Sequence, residues 1–205
     1  MSSENELKKK FNDFFLEEDP WHKLNTCRDK IYKIKVLNFL SMYNYKNVLD
    51  LGCGEGDFTY LISNKVKKID AVDISSIAID RAKQKYQNSN ITYFNMGALE
   101  FCSQTTLKKY DLIFALEMLY YLNDKERIEL LELISNLLQD NGILYIGLVV
   151  SGKNKYGKYF TYDSACNLLS KYFKIISITT AVPKGFKEIP LRKFIIKILC
   201  ILKKT

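Results

Sequence analysis

The stretch Val48-Leu49-Asp50-Leu51-Gly52-Cys53-Gly54-Glu55-Gly56-Asp57 decides how this chain folds. Val48, Leu49 and Leu51 form a short apolar run stopped by three glycines at alternate positions, as expected of a buried strand that ends in a tight loop. Phe58–Asn64 then takes up helical spacing, so the order is strand, glycine loop, helix. Seventeen residues past Gly56 stands Asp73, near the end of a second apolar run, Ile69–Ile74. In open α/β sheets ligands bind beyond the carboxyl ends of the strands. An acid at the end of the second strand is placed to accept both hydroxyls of a ribose. A lone glycine loop would say little, but strand, loop, helix, strand and terminal acid in this order say much more.

The loop also indicates which ribose-bearing ligand it suits. Dinucleotide loops follow G-x-G-x-x-G and rest a pyrophosphate on a helix N-terminus. Here the spacing is G-x-G-x-G, with Asp50, Glu55 and Asp57 crowding it and no base within it. One carboxylate–phosphate pair at roughly 4 Å and an effective dielectric near 20 costs about 4 kcal/mol. The same acids suit a ligand that carries an ammonium and a sulfonium. The expected cofactor is therefore S-adenosyl-L-methionine rather than NAD.

Outward from this motif the chain alternates strand and helix. Lys46–Leu51, Ile69–Ile74, Ile91–Asn95, Tyr110–Leu116, Ile143–Val150 and Phe173–Ala181 read as strands. Between them Phe58–Asn64, Ser75–Tyr86 with Ser75 as N-cap, Asp124–Leu138 and Thr161–Tyr172 read as helices. Asn141-Gly142 is expected to separate the third of these from the fifth strand. Such alternation predicts a doubly wound α/β domain, a mostly parallel sheet with helices on both faces. Residues 4–17 and 26–42 are expected to be helical, parted by Asp19-Pro20-Trp21 because the residue before a proline avoids helix. With no repeat or linker, the reading is one domain over 1–205, an N-terminal helical lid (1–44) and a Rossmann-like core (45–205).

Composition excludes other classes. A chain of 205 residues, 47% hydrophobic and 26% charged, can bury a core and is not disordered. Its five cysteines are scattered without a C-x-x-C pair, and read as reduced cytosolic thiols rather than a disulfide framework or zinc site. No signal peptide is apparent at the N-terminus and no apolar run approaches the roughly 18 residues of a spanning helix, so a cytoplasmic protein is expected. The net charge of +8 is lopsided. Residues 151–205 hold twelve Lys and Arg against Asp163 and Glu188, a net of +10, while residues 1–150 sum to −2. A basic end suits an anionic substrate, a membrane surface or RNA, and a solvated lysine-rich face explains it equally.

The glycine stretch resembles the first motif of class I S-adenosylmethionine-dependent methyltransferases, an acid followed by G-x-G-x-G. Asp73 matches their ribose-binding acid, Tyr110–Glu117 their fourth strand, and Leu138–Ile146 the run entering strand five. Two features, Asp19-Pro20-Trp21 ahead of a basic helix and Glu117-Met118-Leu119-Tyr120-Tyr121-Leu122, resemble the nodulation-type (NodS-like) N-methyltransferases acting on sugar amines. The resemblance implies a seven-stranded, mostly parallel sheet. It implies cofactor contacts from Trp21, Asp50, Gly52, Cys53, Gly54, Asp73, Ile74, Gly97, Ala98, Leu99 and Leu116. Where the family usually has an acid for the adenine amino group, this chain has Gly97, so adenine is expected to depend on backbone groups of 97–99 and apolar walls such as Ile74. In the N-terminal segment Arg28 stands where a tyrosine is expected before the acid Asp29, which concerns the acceptor side.

Glu117 follows a fully apolar strand, where a carboxylate needs a reason to be. It is expected to orient a substrate amine and take its proton, although a helix start would also favour an acid there. Of Tyr120 and Tyr121, at least one is expected to point into the site and the other into the core. His22 is the sole histidine, so no Ser-His-Asp triad or metal cluster can be built on it, though a lone base can. Trp21, the sole tryptophan, is read as a lid over cofactor or substrate. The predicted reaction is methyl transfer to a small molecule, an amine on a sugar or amino-sugar conjugate. Alternatives are O-methylation of a glycan or phenol, RNA methylation, and a noncatalytic cofactor-binding scaffold. Nucleic acid is disfavoured, since neither an N-P-P-Y motif nor a separate RNA-binding domain is present. Finally, residues 191–205 fit either a seventh strand or a basic amphipathic helix on an anionic membrane. The strand is preferred, because without it strand six loses its neighbour.

Overall fold

The computed structural model describes residues 4–17, 20, 27–42, 44–105, 107–150, 153–154, 157–158, 160–180 and 196–204. Helices α1 (Glu4–Phe14) and α2 (Cys27–Leu40) precede the sheet. Then follow β1 (Asn47–Leu51), α3 (Asp57–Ser63), β2 (Lys68–Asp73), α4 (Ser76–Lys85), β3 (Ile91–Asn95), α5 (Ala98–Gln104) and β4 (Tyr110–Leu116). A 3-10 turn at Leu119–Tyr121 leads into α6 (Asp124–Leu137) and β5 (Leu138–Val150). Next come the two-residue strands β6 (Lys153–Asn154) and β7 (Gly157–Lys158), then α7 (Tyr162–Leu169), β8 (Phe173–Thr180) and β9 (Ile196–Lys204).

The strands run β3-β2-β1-β4-β5-β9-β8. The first five are parallel, and β9 is antiparallel to both its neighbours. Alternation along the central strands explains why helices cover both faces. Leu49 and Leu51 of β1, Ile113 and Ala115 of β4, and Leu144, Ile146 and Leu148 of β5 join one cluster with Leu130, Leu131 and Ile134 of α6. Val48, Leu112, Phe114 and Tyr145 join the other, with Val36, Phe39 and Leu40 of α2 and Ile62 of α3. Burying each of these large side chains stabilises the fold by roughly 1.5–3 kcal/mol. Asp111 joins β4 to the start of β1, its carboxylate accepting from the Lys46 and Asn47 amides at 2.6 and 3.1 Å.

Two elements differ from the sequence reading, and a third decides between its alternatives in favour of the preferred strand. Residues 98–104 form α5, with Gly97 as its N-cap, where no helix was expected. Strand β5 begins at Leu138 rather than Ile143, because the register slips between Tyr110 and Leu112 and Asn141 takes a left-handed φ of 65° that absorbs the extra residues. The segment 196–204 is a strand seated between β5 and β8, so the amphipathic membrane helix is corrected for these residues. Residues 191–195 of that alternative lie outside the described residues. Among the described residues no helix is long and apolar enough to cross a membrane.

Candidate active site

The carboxyl ends of β1, β2, β3 and β4 meet at one edge of the sheet, and the glycine loop lies across them. Gly52, Gly54 and Gly56 all have left-handed φ, at 76°, 56° and 78°. Any other residue would be strained there. A side chain at Gly52 would also meet Met118 Cβ at 3.2 Å. The Gly52 and Cys53 amides donate to the Val72 carbonyl, at 2.8 and 3.0 Å, and tie the loop to the last turn of β2.

Asp73 closes that connection. Its Oδ2 accepts from the Gly54 amide at 2.8 Å and its Oδ1 from the Ser75 amide at 2.9 Å. Burial pushes its carboxyl up, while these two bonds pull it partly back. Each carboxylate oxygen keeps acceptor capacity beyond one amide, so the group can still take ribose hydroxyls. Asp50 is buried one pair of residues away, its Oδ2 accepting from the Thr59 hydroxyl at 2.6 Å. Desolvation raises it to about 7, against the lowering bond from Thr59, and the Asp73 charge adds to the rise. Cys53, half-buried beside both acids, is pushed well up for the same reasons, so it is a wall and not a nucleophile.

The expectation of three uncompensated acids around the loop needs correction. Glu55 is paired with Arg81 at 2.6 Å, and Asp57 with Lys85 at 2.9 Å and with the Tyr86 hydroxyl at 2.5 Å. The bases come from α4, distant in sequence, so a reading confined to the loop could not see them. Asp50 alone faces its neighbourhood without a cation among the described bonds, and only this part of the electrostatic preference for a cationic ligand stands.

At the end of β4, Leu116 is half-buried and Glu117 adopts φ 58°, a left-handed conformation for a non-glycine residue. That costs about 1–2 kcal/mol and persists only where its surroundings hold it. The Glu117 amide donates to the Gly147 carbonyl at 2.8 Å, and Arg127 fixes the turn that follows. Arg127 is buried, and donates from Nε to the Leu119 carbonyl at 3.0 Å and from Nη2 to that of Tyr120 at 3.4 Å. Of the two tyrosines, Tyr120 is only 8% exposed and belongs to the core. Tyr121 is half-buried and meets Phe11 of α1 edge to face, centroids 4.8 Å apart.

Helix α1 lies over the glycine loop through residues that sequence reasoning did not find. Asn12 Oδ1 accepts from the Ser75 hydroxyl at 2.9 Å. Phe15 is buried, and a side chain at Gly54 would stand 3.4 Å from its ring. Arg81 donates to the Glu17 carbonyl at 3.1 Å as well as to Glu55. Helical spacing placed these α1 residues on one face, but no local signal says what that face covers. A cleft of about 320 Å³ lies under the start of α1, lined by Glu4, Asn5, Lys8, Ile74, Asn95, Met96, Gly97 and Glu100.

The described structure thus brings together Asp50, Gly52, Cys53, Gly54, Asp73, Ile74 and Gly97 on the cofactor side, with Leu116 and Glu117 at the neighbouring strand end. Ala98 and Leu99 are half-buried in the first turn of α5 and pack on the core cluster. Trp21 and His22 lie outside the described residues. Among the described residues no group of side chains is arranged to hold a metal. Glycine backbone that a Cβ would obstruct, a carboxylate at the end of β2 and a cleft beyond it fit an adenosyl cofactor.

Comparison with known proteins adds four findings. A sequence profile of the nodulation protein S (NodS) family matches residues 3–183. Nodulation protein S of Azorhizobium caulinodans is 26% identical over 167 residues, covering 78% of this chain and 77% of that protein. Nodulation protein S of Sinorhizobium fredii is 30% identical over 109 residues, 52% of this chain and 49% of that one, so the matched stretch spans about half its length. The crystal structure of the N-methyltransferase NodS of Bradyrhizobium japonicum WM9, in complex with S-adenosyl-L-homocysteine, superposes with a TM-score of 0.80 at 20% identity. That match covers 96% of this chain and 97% of that one, and is a likeness of fold.

Proposed function

The chain belongs to the NodS family of class I S-adenosylmethionine-dependent methyltransferases, and on that premise we propose that it methylates an amine on a sugar or amino-sugar conjugate. The observation that carries the cofactor assignment is Asp73, held by the Gly54 and Ser75 amides at the end of β2. In this reading Asp73 accepts the ribose hydroxyls, Asp50 faces the cofactor's ammonium, and Gly52 and Gly54 give the backbone its close approach. Cys53, Ile74, Gly97, Ala98, Leu99 and Leu116 line the walls. Bound S-adenosylmethionine supplies the electrophilic methyl group, as its related product form suits the family's solved structure with S-adenosyl-L-homocysteine.

The protein's own work is orientation and exclusion of water. Glu117, held in its left-handed conformation beside the strand ends, orients the acceptor amine along the line of displacement. The Glu117 carboxylate would take the proton that the acceptor nitrogen sheds on methylation. Tyr121, under Phe11, bounds the acceptor side. Tyr120 supports it from the core. We assign Trp21 as a lid and His22 as an auxiliary base on the same N-terminal segment, residues 1–44. The basic segment 151–205 suits an anionic acceptor such as a nucleotide sugar or glycan conjugate. The free thiols Cys53, Cys102 and Cys166 suit a reducing, cytoplasmic setting.

A coupled assay of homocysteine release tests this reading across amines, amino sugars and nucleotide sugars, with glycans, phenols and RNA as competing arms. Turnover confined to amine-bearing sugars is expected. Turnover on phenols or RNA alone would overturn the acceptor assignment.

A further inference from the structure

The adenine end of the cleft lacks its acid in the expected place. Gly97 follows β3 where relatives are expected to carry a carboxylate, and its own backbone, at φ −66° and ψ 149°, would accept any residue. The space beside it is taken by Glu4, an exposed side chain that would have to turn aside for any residue there. A Cβ built on Gly97 would collide with Glu4 Oε1 and stand 3.1 Å from Glu4 Cδ. The carboxylate of the first residue of α1 therefore occupies the space that a side chain at position 97 would fill.

We propose that Glu4 supplies the missing acid in trans of the fold, accepting a hydrogen bond from the exocyclic amino group of the cofactor's adenine. This inference rests on the methyltransferase reading above. Two features place Glu4 for it. The cleft that it lines sets the apolar Ile74 and Met96 beside the polar Asn5, Lys8, Asn95 and Glu100, so a planar base with a polar edge finds both kinds of contact there. Helix α1 is pinned at its other end by Asn12 on Ser75 and Phe15 over Gly54. Glu4 and Asn12 are eight residues apart, about 12 Å along one face, so docking one end sets the position of the other.

The chemistry is selective. An ionised carboxylate is an acceptor only. It favours a 6-amino purine, which donates, over a 6-oxo purine, which presents a second acceptor at that position. Glu100 also lines the cleft and is exposed as Glu4 is, but its Oε1 takes a bond from Gln104 Nε2 at 3.4 Å. The acid of α5 is thus turned along its own helix, and that of α1 is turned to Gly97.

Calorimetry with S-adenosyl-L-homocysteine and its hypoxanthine analogue, 6-oxo for 6-amino, tests the assignment without turnover. The wild-type protein is expected to prefer adenine. Glu4→Ala should weaken adenine binding by about 10- to 10²-fold, the worth of one charge-assisted bond, and leave the hypoxanthine analogue nearly unchanged. The double variant Glu4→Ala with Gly97→Asp should regain most of the preference, because the new acid fills the vacated space from the β3 side. Glu100→Gln should keep it. Equal losses for both ligands in Glu4→Ala, or a preference that survives it, would overturn the proposal. Loss of the preference in Glu100→Gln alone would do the same. Failure of the wild-type protein to bind S-adenosyl-L-homocysteine at all would strike the methyltransferase reading first, and this inference with it.

Discussion

The glycine loop and the Glu117 turn lie at the carboxyl ends of adjacent strands, β1 and β4, yet they are held in different ways. The loop is shaped by its own three left-handed glycines and is tied by amide bonds to Val72 and Asp73 of the next strand. The Glu117 turn has no such motif of its own, and is held by Gly147 of β5, Arg127 of α6 and Phe11 of α1 through Tyr121. A local device can be read from a short stretch of sequence, and it fixes what the fold binds. A device assembled from three further elements can change its acceptor while the cofactor half stays the same. This difference explains why the cofactor side follows from a motif and the acceptor side does not.

Removing β9 would erase both halves at once. Ile196–Lys204 pairs with β5 along its length and with β8 on the other side, so deleting it unpairs two strands of the central sheet. The expected outcome is loss of the cooperative thermal transition, followed by circular dichroism. A truncated protein that melts cooperatively and binds S-adenosylmethionine would show that the sheet closes without it.

Asp73→Ala should injure the loop half alone. Two charge-assisted bonds to the ribose, each worth about 1.5–3 kcal/mol, disappear, for a loss of roughly 10²-fold or more in cofactor affinity. The fold should survive, because the Gly52 and Cys53 amides still bond the Val72 carbonyl, although the buried Ser75 amide loses its acceptor and some stability goes with it. Glu117→Gln should injure the other half alone. Its shape is kept and its charge lost, so kcat should fall by about 10²-fold while cofactor affinity holds. Turnover within about threefold of wild type on the true acceptor would make Glu117 a structural residue.

The smallest effect concerns Asp50. Its carboxyl sits at about 7 in the folded protein against 3.8 as an ordinary carboxyl, because desolvation outweighs the bond from Thr59. The folded state holds that proton more tightly than the unfolded state. The resulting stability is full below the ordinary value and is lost as pH rises through about 7. The ligand-free protein should therefore lose Tm, on the order of 5 °C, between pH 4 and 7.5. Asp50→Asn should flatten that slope. The same change should remove the gain in S-adenosylmethionine affinity that rising pH brings as Asp50 ionises to meet an ammonium. An unchanged pH slope in Asp50→Asn would assign the effect to other groups.

The sequence made β3 and β4 legible to the residue, and β1, β2 and the Ser75 cap nearly so, because apolar runs ended by glycine or a capping serine leave few other readings. Glu117 stood out as a carboxylate after an apolar strand, but no pattern in the sequence announced its left-handed φ. Helix α5 was missed because Gly97-Ala98-Leu99 was read as adenine-binding backbone, and the seven-residue helix is too short to show a period. Asn12, Phe15, Arg81 and Glu4 were missed for a different reason. Each acts through a partner at least 26 residues away, as Arg81 does on Glu55, and spacing within one helix carries no record of such a partner. The neutralising of Glu55 and Asp57 by α4 was hidden in the same way.

Titration of the wild-type protein with S-adenosyl-L-homocysteine and, in parallel, with NAD tests the cofactor assignment most directly. The expected result is saturable one-to-one binding of the first and none of the second, with the first abolished or weakened at least 10²-fold in Asp73→Ala. Binding of NAD, or S-adenosyl-L-homocysteine affinity unchanged in Asp73→Ala, would contradict it.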